Sequence, residues 1–279
     1  MRPNLLIILV DDLRYDEFGA GGHPYMTTPH IDRIADEGAL FERAFHTTPI
    51  CSPNRASVMT GQYASRHGVI DNVARDAMSH GLPNYHLQLQ RLGYETAHVG
   101  KWHMGNDGMP RPGYDHWISF DGHGSIVDPR LNHEGHYRRH RGYITDILNR
   151  YAVEFIRGAR ARKRRRPWSL FLAHKAVHPD AQQAADGTLD MARFGGYIPA
   201  PRHRHLYAGK RFPHLPNMRT PADVVRGKPA WREAFRLRAG KGARSALAAI
   251  GAGTQEEIRQ RARMMASVDE GVGSIFDAL

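Results

Sequence analysis

Three apolar runs stand out along the chain, and each predicts a β-strand. The segments are "NLLIILV" from residue 4, "YETAHVG" from residue 94 and "PWSLFLA" from residue 167. A continuous apolar run is typical of a strand that is covered on both faces of a parallel sheet. The first and third segments fit that description best, so we expect both to be buried on each side.

Between and after these runs, apolar residues recur at helical spacing. "TPHIDRIADEG" predicts a helix in which Thr28 caps the start, Pro29 occupies the first turn and Gly38 ends it, with Ile31, Ile34 and Ala35 facing inward. Further helices are predicted at 86–93, with Gly93 as the stop, at 142–158, and from Thr254 onward. In the last of these, Thr254 and Glu257 have the spacing of a capping box.

Strands that alternate with helices predict an α/β fold, a doubly wound and mostly parallel sheet flanked by helices. The pattern loosens at 180–253, where Gly, Pro and Arg are frequent, and we interpret that stretch as an irregular insertion or loop region. We interpret the whole of 1–279 as one domain, in which no strand follows the last helix.

Charge and composition narrow the classes of partner. With 39 Lys+Arg against 28 Asp+Glu, the formal charge of +11 favours anionic partners. The basic run at 157–167 is typical of a solvated helix end, and no zinc-finger spacing or basic heptad accompanies it, so we expect no nucleic-acid partner. No apolar run has the length of a membrane span. The first residues of the sequence predict a strand rather than an export signal. A single cysteine allows no disulfide framework. Both features favour a cytoplasmic location.

Charged and polar side chains follow each predicted strand. Asp11 and Asp12 follow the first strand, Lys101 and His103 the second, and His174, Lys175 and His178 the third. In an open parallel sheet these strand ends meet at one edge, where ligands bind. Carboxylates suit Ca²⁺ or Mg²⁺, and cationic groups beside them suit an anionic substrate. The alternatives are ordinary ones: a helix cap or turn for the aspartates, a structural role for the histidines, and solvation for the lysines.

The only cysteine, Cys51, lies in "PICSPNRASVMTG", residues 49–61. We expect Ser52 to cap a helix that begins at Pro53, which would leave Cys51 just outside the helix amino end, with Arg55 one turn along. That position has positive potential, so a thiol there would have a lowered pKa and could act as a nucleophile. The alternative is a small buried apolar residue, a common fate of free cysteine.

Two motifs carry a family resemblance. The first is Cys-x-Pro-x-Arg followed by "ASVMTGQY", and the second is "GYETAHVGKWH" at 93–103. Together with "PNLLIILVDDLR", "FLAHKAVHP" and "PAPRHRHLY", they resemble the signatures of the formylglycine-dependent sulfatases of the alkaline phosphatase superfamily. Asn54 stands where Ser or Thr is frequent in that family, a small departure.

The resemblance implies a specific chemistry. A formylglycine-generating enzyme would convert Cys51 to formylglycine, whose hydrated aldehyde attacks the sulfur of a sulfate ester. Asp11, Asp12 and residue 51 would hold a divalent metal, Ca²⁺ most often and Mg²⁺ as a possibility. Arg55 would steady the diol, Lys101 would bind sulfate oxygens, His103 would act as a base, and His178 would contact the sulfate and the leaving oxygen.

One departure from the family pattern is larger. Family members carry a later strand that ends in Asp-(His or Asn)-Gly and completes the metal site, whereas "DGHG" at 121–124 differs in order and place. The sequence is therefore interpreted as the amino-terminal part of a sulfatase, acting on a small anionic sulfate ester that could be a sulfated carbohydrate. Two alternatives stay open: a phosphonate or phosphodiester hydrolase of the same superfamily, and a catalytically inactive anion-binding fragment.

Overall fold

A central six-stranded sheet organises the part of the chain that the structure describes, a computed structural model covering residues 2–73, 76–161, 166–184, 186, 189–213 and 254–279. The strands in chain order are β1 (Leu5–Val10), β2 (Glu95–Gly100), β3 (His116–Ser119), β4 (Arg130–His133), β5 (His136–Arg139) and β6 (Trp168–His174). Their spatial order is β1-β6-β2-β3-β4-β5. The first four strands in this order, β1, β6, β2 and β3, pair in parallel. β4 and β5 extend the sheet with antiparallel pairings.

The β4–β5 hairpin forms around a two-residue turn, a local feature that the periodicity of apolar residues does not reveal. Its two connecting residues, Glu134 and Gly135, both have positive φ, 51° and 93°. A two-residue loop with both residues in that region matches the right-handed twist of the flanking strands. Apolar periodicity does not predict this hairpin or β3, because each of these strands is only four residues long and β4 and β5 are mostly polar.

The helices in chain order are α1 (Pro29–Glu37), α2 (Cys51–Thr60), α3 (Ala64–His67), α4 (Asp76–Gly81), α5 (Tyr85–Arg91), α6 (Ile144–Ala161) and α7 (Gln255–Ala278). Short 3₁₀ helices lie at Met191–Arg193 and Pro201–His203, and a small hairpin joins β7 (Gln182–Gln183) to β8 (Leu189–Asp190). The predicted capping box of α7 is present in full, with Thr254 and Glu257 bonded reciprocally. None of the described helices is both long and apolar enough to cross a lipid bilayer.

Both faces of the sheet are covered, which confirms the predicted doubly wound, mostly parallel architecture. One buried cluster joins α6 and α7 to the sheet through residues such as Leu148, Ile156 and Met265. A second cluster on α2 and the loop after β2 includes Met59 and Trp102. The burial of large apolar side chains in both clusters supplies the main stabilisation of the layered fold.

Two expectations about burial were wrong. All six residues of β1 are only half-buried, because among the described residues β1 pairs with β6 alone and forms one end of the sheet. Ile34 of α1, expected to face inward, has 47% of its surface exposed, whereas Ile31 packs against the core.

The amino end of α1 is capped from a distance. Thr28 occupies the expected position, but its hydroxyl donates to Asp32 at 2.8 Å rather than capping the helix. The carboxylate of Asp269 in α7 instead accepts hydrogen bonds from the backbone N–H groups of His30 and Ile31, at 3.0 and 2.9 Å. A tertiary contact therefore replaces the local cap that the sequence predicted.

The predicted irregular region is described only in part. Between residues 180 and 213 the structure contains β7, β8 and the two 3₁₀ helices. Residues 214–253 lie outside the described residues, as do residues 162–165 of the basic run. The interpretation of 1–279 as one domain stays a prediction.

Candidate active site

The parallel strands deliver their following residues to one edge of the sheet, as expected. Asp11 follows β1, Lys101 follows β2 and Lys175 follows β6. Gly100 at the end of β2 has φ of +118°, and a Cβ there would lie 2.0 Å from the carbonyl oxygen of Ala173. Glycine thus permits β2 and β6 to stay in contact up to the site, where the Lys101 N–H donates to the same carbonyl at 2.8 Å.

A buried carboxylate and two buried cations form the centre of the site. The Asp11 carboxylate accepts a hydrogen bond from Lys101 Nζ and lies 3.3 Å from Arg55 Nη2. The Arg55 guanidinium also donates to the carbonyl oxygen of Lys101. Burial alone would raise the pKa of Asp11, but the charges of Lys101 and Arg55 hold that pKa well below its usual value.

Asp12 differs from its neighbour. Its pKa is raised, first by burial and then by the negative charge of Asp11. Its backbone has a φ of 59°, an uncommon conformation for a residue other than glycine, and its carbonyl oxygen accepts from Arg261 Nη2 of α7 at 2.6 Å. The two adjacent carboxylates are therefore held in different surroundings at the same strand end.

The surroundings of Cys51 correct three predictions. Cys51 is the first residue of α2 rather than a residue outside it, and Ile50 occupies the cap position. Ser52 lies within the helix, where its hydroxyl donates to the carbonyl oxygen of His103 instead of capping. Burial raises the pKa of the Cys51 thiol, although Lys101 Nζ lies 3.9 Å from its sulfur. The expectation of a lowered thiol pKa was wrong, because desolvation outweighs the nearby positive charge.

Three buried imidazoles line the site side by side. The His123 ring centre lies 4.2 Å from that of His103 and 4.4 Å from that of His178. His103, with a φ of 53°, contacts the Gln183 side chain through Nε2, and His178 Nδ1 lies 2.8 Å from the carbonyl oxygen of Pro179. Burial, reinforced by the charge of Lys101, lowers the pKa of all three rings, which are therefore neutral at pH 7.

The structure thus brings together every site residue that the sequence predicted, namely Asp11, Asp12, Cys51, Arg55, Lys101, His103 and His178. Their individual roles stay predictions, because geometry alone does not assign them.

Sequence reasoning missed three participants. Lys175 was placed at a strand end but given no role; its Nζ donates to the carbonyl oxygen of His123 at 2.8 Å, and burial with the charge of Lys101 lowers its pKa to about 7. His123 was given no role, although the sequence shows it between Gly122 and Gly124. In the structure both glycines have positive φ, as in a tight turn that presents one side chain. Nothing in the sequence around Gln183 distinguished it.

The donor groups fit a divalent cation. One ligand atom each from Asp11, Cys51 and His178 lies within 4.8 Å of the others, and Asp12 Oδ2 lies 3.9 Å from His178 Nε2. Two adjacent carboxylates are the hard oxygen ligands that Ca²⁺ or Mg²⁺ prefers. Ca²⁺ takes about six to eight oxygens, so the carboxylates of Asp11 and Asp12 supply only part of a full set.

Comparison with known sequences gives a consistent result. A family model described as Sulfatase matches residues 3–279. An N-acetylglucosamine-6-O-sulfatase of Bacteroides thetaiotaomicron is 28% identical over 220 residues, which is 78% of this chain and 35% of that protein. The N-acetylgalactosamine-6-sulfatase of Mus musculus is 30% identical over 231 residues, 70% of this chain and 44% of that protein. The matches therefore span less than half of the length of either relative.

Solved structures share the fold. One was determined in complex with its substrate D-glucosamine-2-N,6-O-disulfate; it superposes with a TM-score of 0.74 at 23% identity, covering 100% of this chain and 62% of the other. The phosphonate monoester hydrolase of Agrobacterium radiobacter superposes with a TM-score of 0.66 at 22% identity, covering 100% of this chain and 59% of the other. Both likenesses show an alkaline-phosphatase-like fold with the same mixed, mostly parallel sheet.

Proposed function

The chain belongs to the sulfatase family, and from that premise we propose that it hydrolyses sulfate esters at the edge of the sheet after β1, β2 and β6. The observation that carries the proposal is the position of Cys51, at the amino end of α2 and 3.9 Å from Lys101 Nζ. The residue predicted to be the nucleophile thus lies beside buried cations that can bind a sulfate group.

The nucleophile is proposed to be formylglycine made from Cys51 by a formylglycine-generating enzyme. The raised pKa of the Cys51 thiol supports this, because an unmodified thiol there is a poor nucleophile near neutral pH. In the proposed reaction one hydroxyl of the hydrated aldehyde attacks sulfur and the alcohol leaves. The second hydroxyl then loses its proton as the aldehyde re-forms, which releases sulfate without attack of water on sulfur.

The neighbouring cations have distinct proposed tasks. Lys101, fully buried, neutralises charge that develops on the sulfate oxygens, and Arg55, held by Asp11, steadies residue 51. His103 is neutral and so can accept a proton when the covalent sulfate is expelled. His178, also neutral and stacked on His123, is proposed to contact the leaving oxygen.

A divalent metal, Ca²⁺ by family likeness and Mg²⁺ as the alternative, would be held by Asp11, Asp12 and residue 51. It would supply further positive charge to the sulfate oxygens. The proximity of Asp11 to Cys51 supports this assignment.

The proposed substrate class is a sulfated carbohydrate, in particular a 6-O-sulfated amino sugar. Both relatives reported above are named as 6-sulfatases of N-acetylated hexosamines, and the neighbour with a TM-score of 0.74 binds glucosamine-2-N,6-O-disulfate. The formal charge of +11 suits a polyanionic sugar. Phosphonate ester hydrolysis is the second candidate, favoured by the fold shared with the phosphonate monoester hydrolase.

The test is an assay of the full-length product of the coding sequence that contains this chain, made together with a formylglycine-generating enzyme. N-acetylglucosamine-6-sulfate, 4-nitrophenyl sulfate and 4-nitrophenyl phenylphosphonate would be compared by kcat/KM. We expect formylglycine at position 51 by mass spectrometry and the highest kcat/KM on the sulfated sugar. A preference for the phosphonate would overturn the sulfatase proposal, and an unmodified thiol in active protein would overturn the nucleophile.

A further inference from the structure

His123 is the one imidazole of the site to which no role has been assigned. The ring is 3% exposed and is presented by the turn at residues 121–124, directly after β3. Gly122 and Gly124, with φ of +51° and +63°, flank it, and a Cβ on Gly124 would lie 2.4 Å from the Phe120 ring. The local backbone is therefore built to bring this one side chain into the site.

The protonation state of His123 follows from its contacts. Its Nδ1 lies 3.2 Å from Lys101 Nζ, and an ammonium group can only donate hydrogen bonds. Nδ1 is therefore the unprotonated nitrogen, and the proton of the neutral ring is on Nε2. Burial and the charge of Lys101, which lower the pKa of His123, agree with a neutral ring.

Of the two ring nitrogens of His123, Nε2 is the one whose hydrogen-bonding capacity is unused. It is buried, and it has no hydrogen-bond partner among the described residues. A buried donor without an acceptor is unfavourable, so such groups are retained chiefly where something else satisfies them. The His123 ring contacts those of His103 and His178, two residues of the proposed sulfate site, so this N–H lies beside that site.

We propose that His123 is a substrate-binding residue whose Nε2–H donates a hydrogen bond to an anionic oxygen of the bound sulfate ester, while its Nδ1 holds the Lys101 ammonium in place. This inference rests on the proposed sulfatase function and adds to it one sulfate contact. The backbone of the same residue is fixed by Lys175, whose Nζ donates to its carbonyl oxygen at 2.8 Å. The imidazole of His123 thus contacts Lys101, and its backbone carbonyl contacts Lys175.

Two substitutions separate the two nitrogens. In His123→Asn, the side-chain oxygen can take the place of Nδ1 and accept from Lys101, but no donor reaches the place of Nε2. In His123→Gln, the longer amide carries a donor to the place of Nε2 and loses the acceptor near Lys101. His133→Asn, on β4 and part-buried, is the matched control.

The experiment measures kcat/KM for N-acetylglucosamine-6-sulfate and, by calorimetry, the affinity for inorganic sulfate, in the same full-length product. Since a hydrogen bond to a charged group is lost, we expect both quantities to fall about 10- to 100-fold in His123→Asn and less than about threefold in His123→Gln. Melting temperatures within about 2 °C of each other would show that folding is intact.

The proposal is overturned if His123→Asn binds sulfate as the unsubstituted protein does, or if His123→Gln loses as much affinity as His123→Asn. A loss of affinity confined to His123→Gln would leave His123 only a positioning role toward Lys101. The calorimetric arm also separates the two proposals. A protein that binds sulfate through His123 but hydrolyses no sulfate ester would refute the sulfatase function and leave the contact supported.

Discussion

Two clusters of carboxylate, guanidinium and imidazole groups among the described residues have opposite consequences for the protein. In the candidate active site, Asp11, Arg55 and Lys101 have side chains only 8%, 2% and 0% exposed. A second group, which we call the Arg202 cluster, consists of Asp146, Arg202, His203 and Glu270; its Asp146, Arg202 and Glu270 side chains are 38–51% exposed.

The Arg202 cluster is satisfied by its own members. Arg202 donates two hydrogen bonds of 2.7 Å to Asp146 and two, of 3.0 and 2.6 Å, to Glu270, and His203 contacts Glu270 at 2.7 Å. These contacts join α6, the 3₁₀ helix at Pro201–His203 and α7. The cluster therefore connects elements of the fold at small cost, because water still solvates its charges.

The active-site group is costly in comparison. Burying charges is unfavourable unless each is paired and hydrogen-bonded, and Arg55 Nε is buried without a hydrogen-bond partner among the described residues. The neutral rings of His103 and His123 likewise keep Nδ1 and Nε2, respectively, buried without a described partner. The comparison shows that the same residue types stabilise the fold where they form ion pairs and hydrogen bonds with one another at the surface. Where they are buried with donors or acceptors that have no partner, they are available for ligand binding.

The largest expected effect is a loss of activity without a loss of stability. Cys51→Ala removes the proposed nucleophile, so turnover of a sulfate ester should fall at least about a thousandfold. Because the thiol is a small side chain paired with no carboxylate, the melting temperature should change by less than about 2 °C. Parallel kinetics and thermal unfolding test this, and residual turnover above a tenth would contradict the assignment.

Lys101→Ala should affect both properties. Loss of one preorganised charge contact lowers turnover by about 10²–10³, and the buried Asp11 carboxylate loses one of its two cations, which costs about 3–5 kcal/mol of unfolding free energy. Denaturant unfolding and steady-state kinetics would be compared with Lys210→Ala, an exposed lysine. A variant with unchanged stability would show that the Asp11–Lys101 pair is not the tight buried pair described here.

Arg202→Ala should lower stability and leave activity unchanged, the reverse of the effects expected for Cys51→Ala. We expect the unfolding free energy to fall by about 1 kcal/mol, the upper range for exposed ion pairs, because two carboxylates lose one bidentate partner. The kcat/KM should stay unchanged, since the Arg202 cluster has no described contact with the site residues. A tenfold loss of turnover would break the proposed separation between the two regions.

The smallest expected effect is a pH dependence. Burial would raise the pKa of Glu270, but hydrogen bonds from Arg202 and His203 hold it below 4.5. A carboxyl with a depressed folded pKa contributes stability that is present above its unfolded pKa and is lost as pH falls through the folded value. Between pH 6 and pH 3 the unfolding free energy should therefore fall more steeply in the unsubstituted protein than in Glu270→Gln. Equal slopes would show that Glu270 contributes nothing to acid sensitivity.

The sequence by itself determined the elements whose cause is local and repeated. Apolar runs gave β1, β2 and β6, helical spacing gave α1, α5, α6 and α7, and the capping box of α7 is present as predicted. The site residues were predictable because strand ends of a parallel sheet meet at one edge, and because the two signature motifs are contiguous in sequence.

Tertiary structure decided the rest. Whether Cys51 has a raised or lowered pKa depends on how deeply neighbouring elements bury it, and desolvation is a property of the packed molecule. Asp269, 239 residues from His30, caps α1 in place of Thr28. His123 enters the site because the turn after β3, with Gly122 and Gly124 at positive φ, lies beside Lys101 and is held by Lys175. Each of these depends on contacts between residues far apart in the chain, which no local pattern of residues encodes.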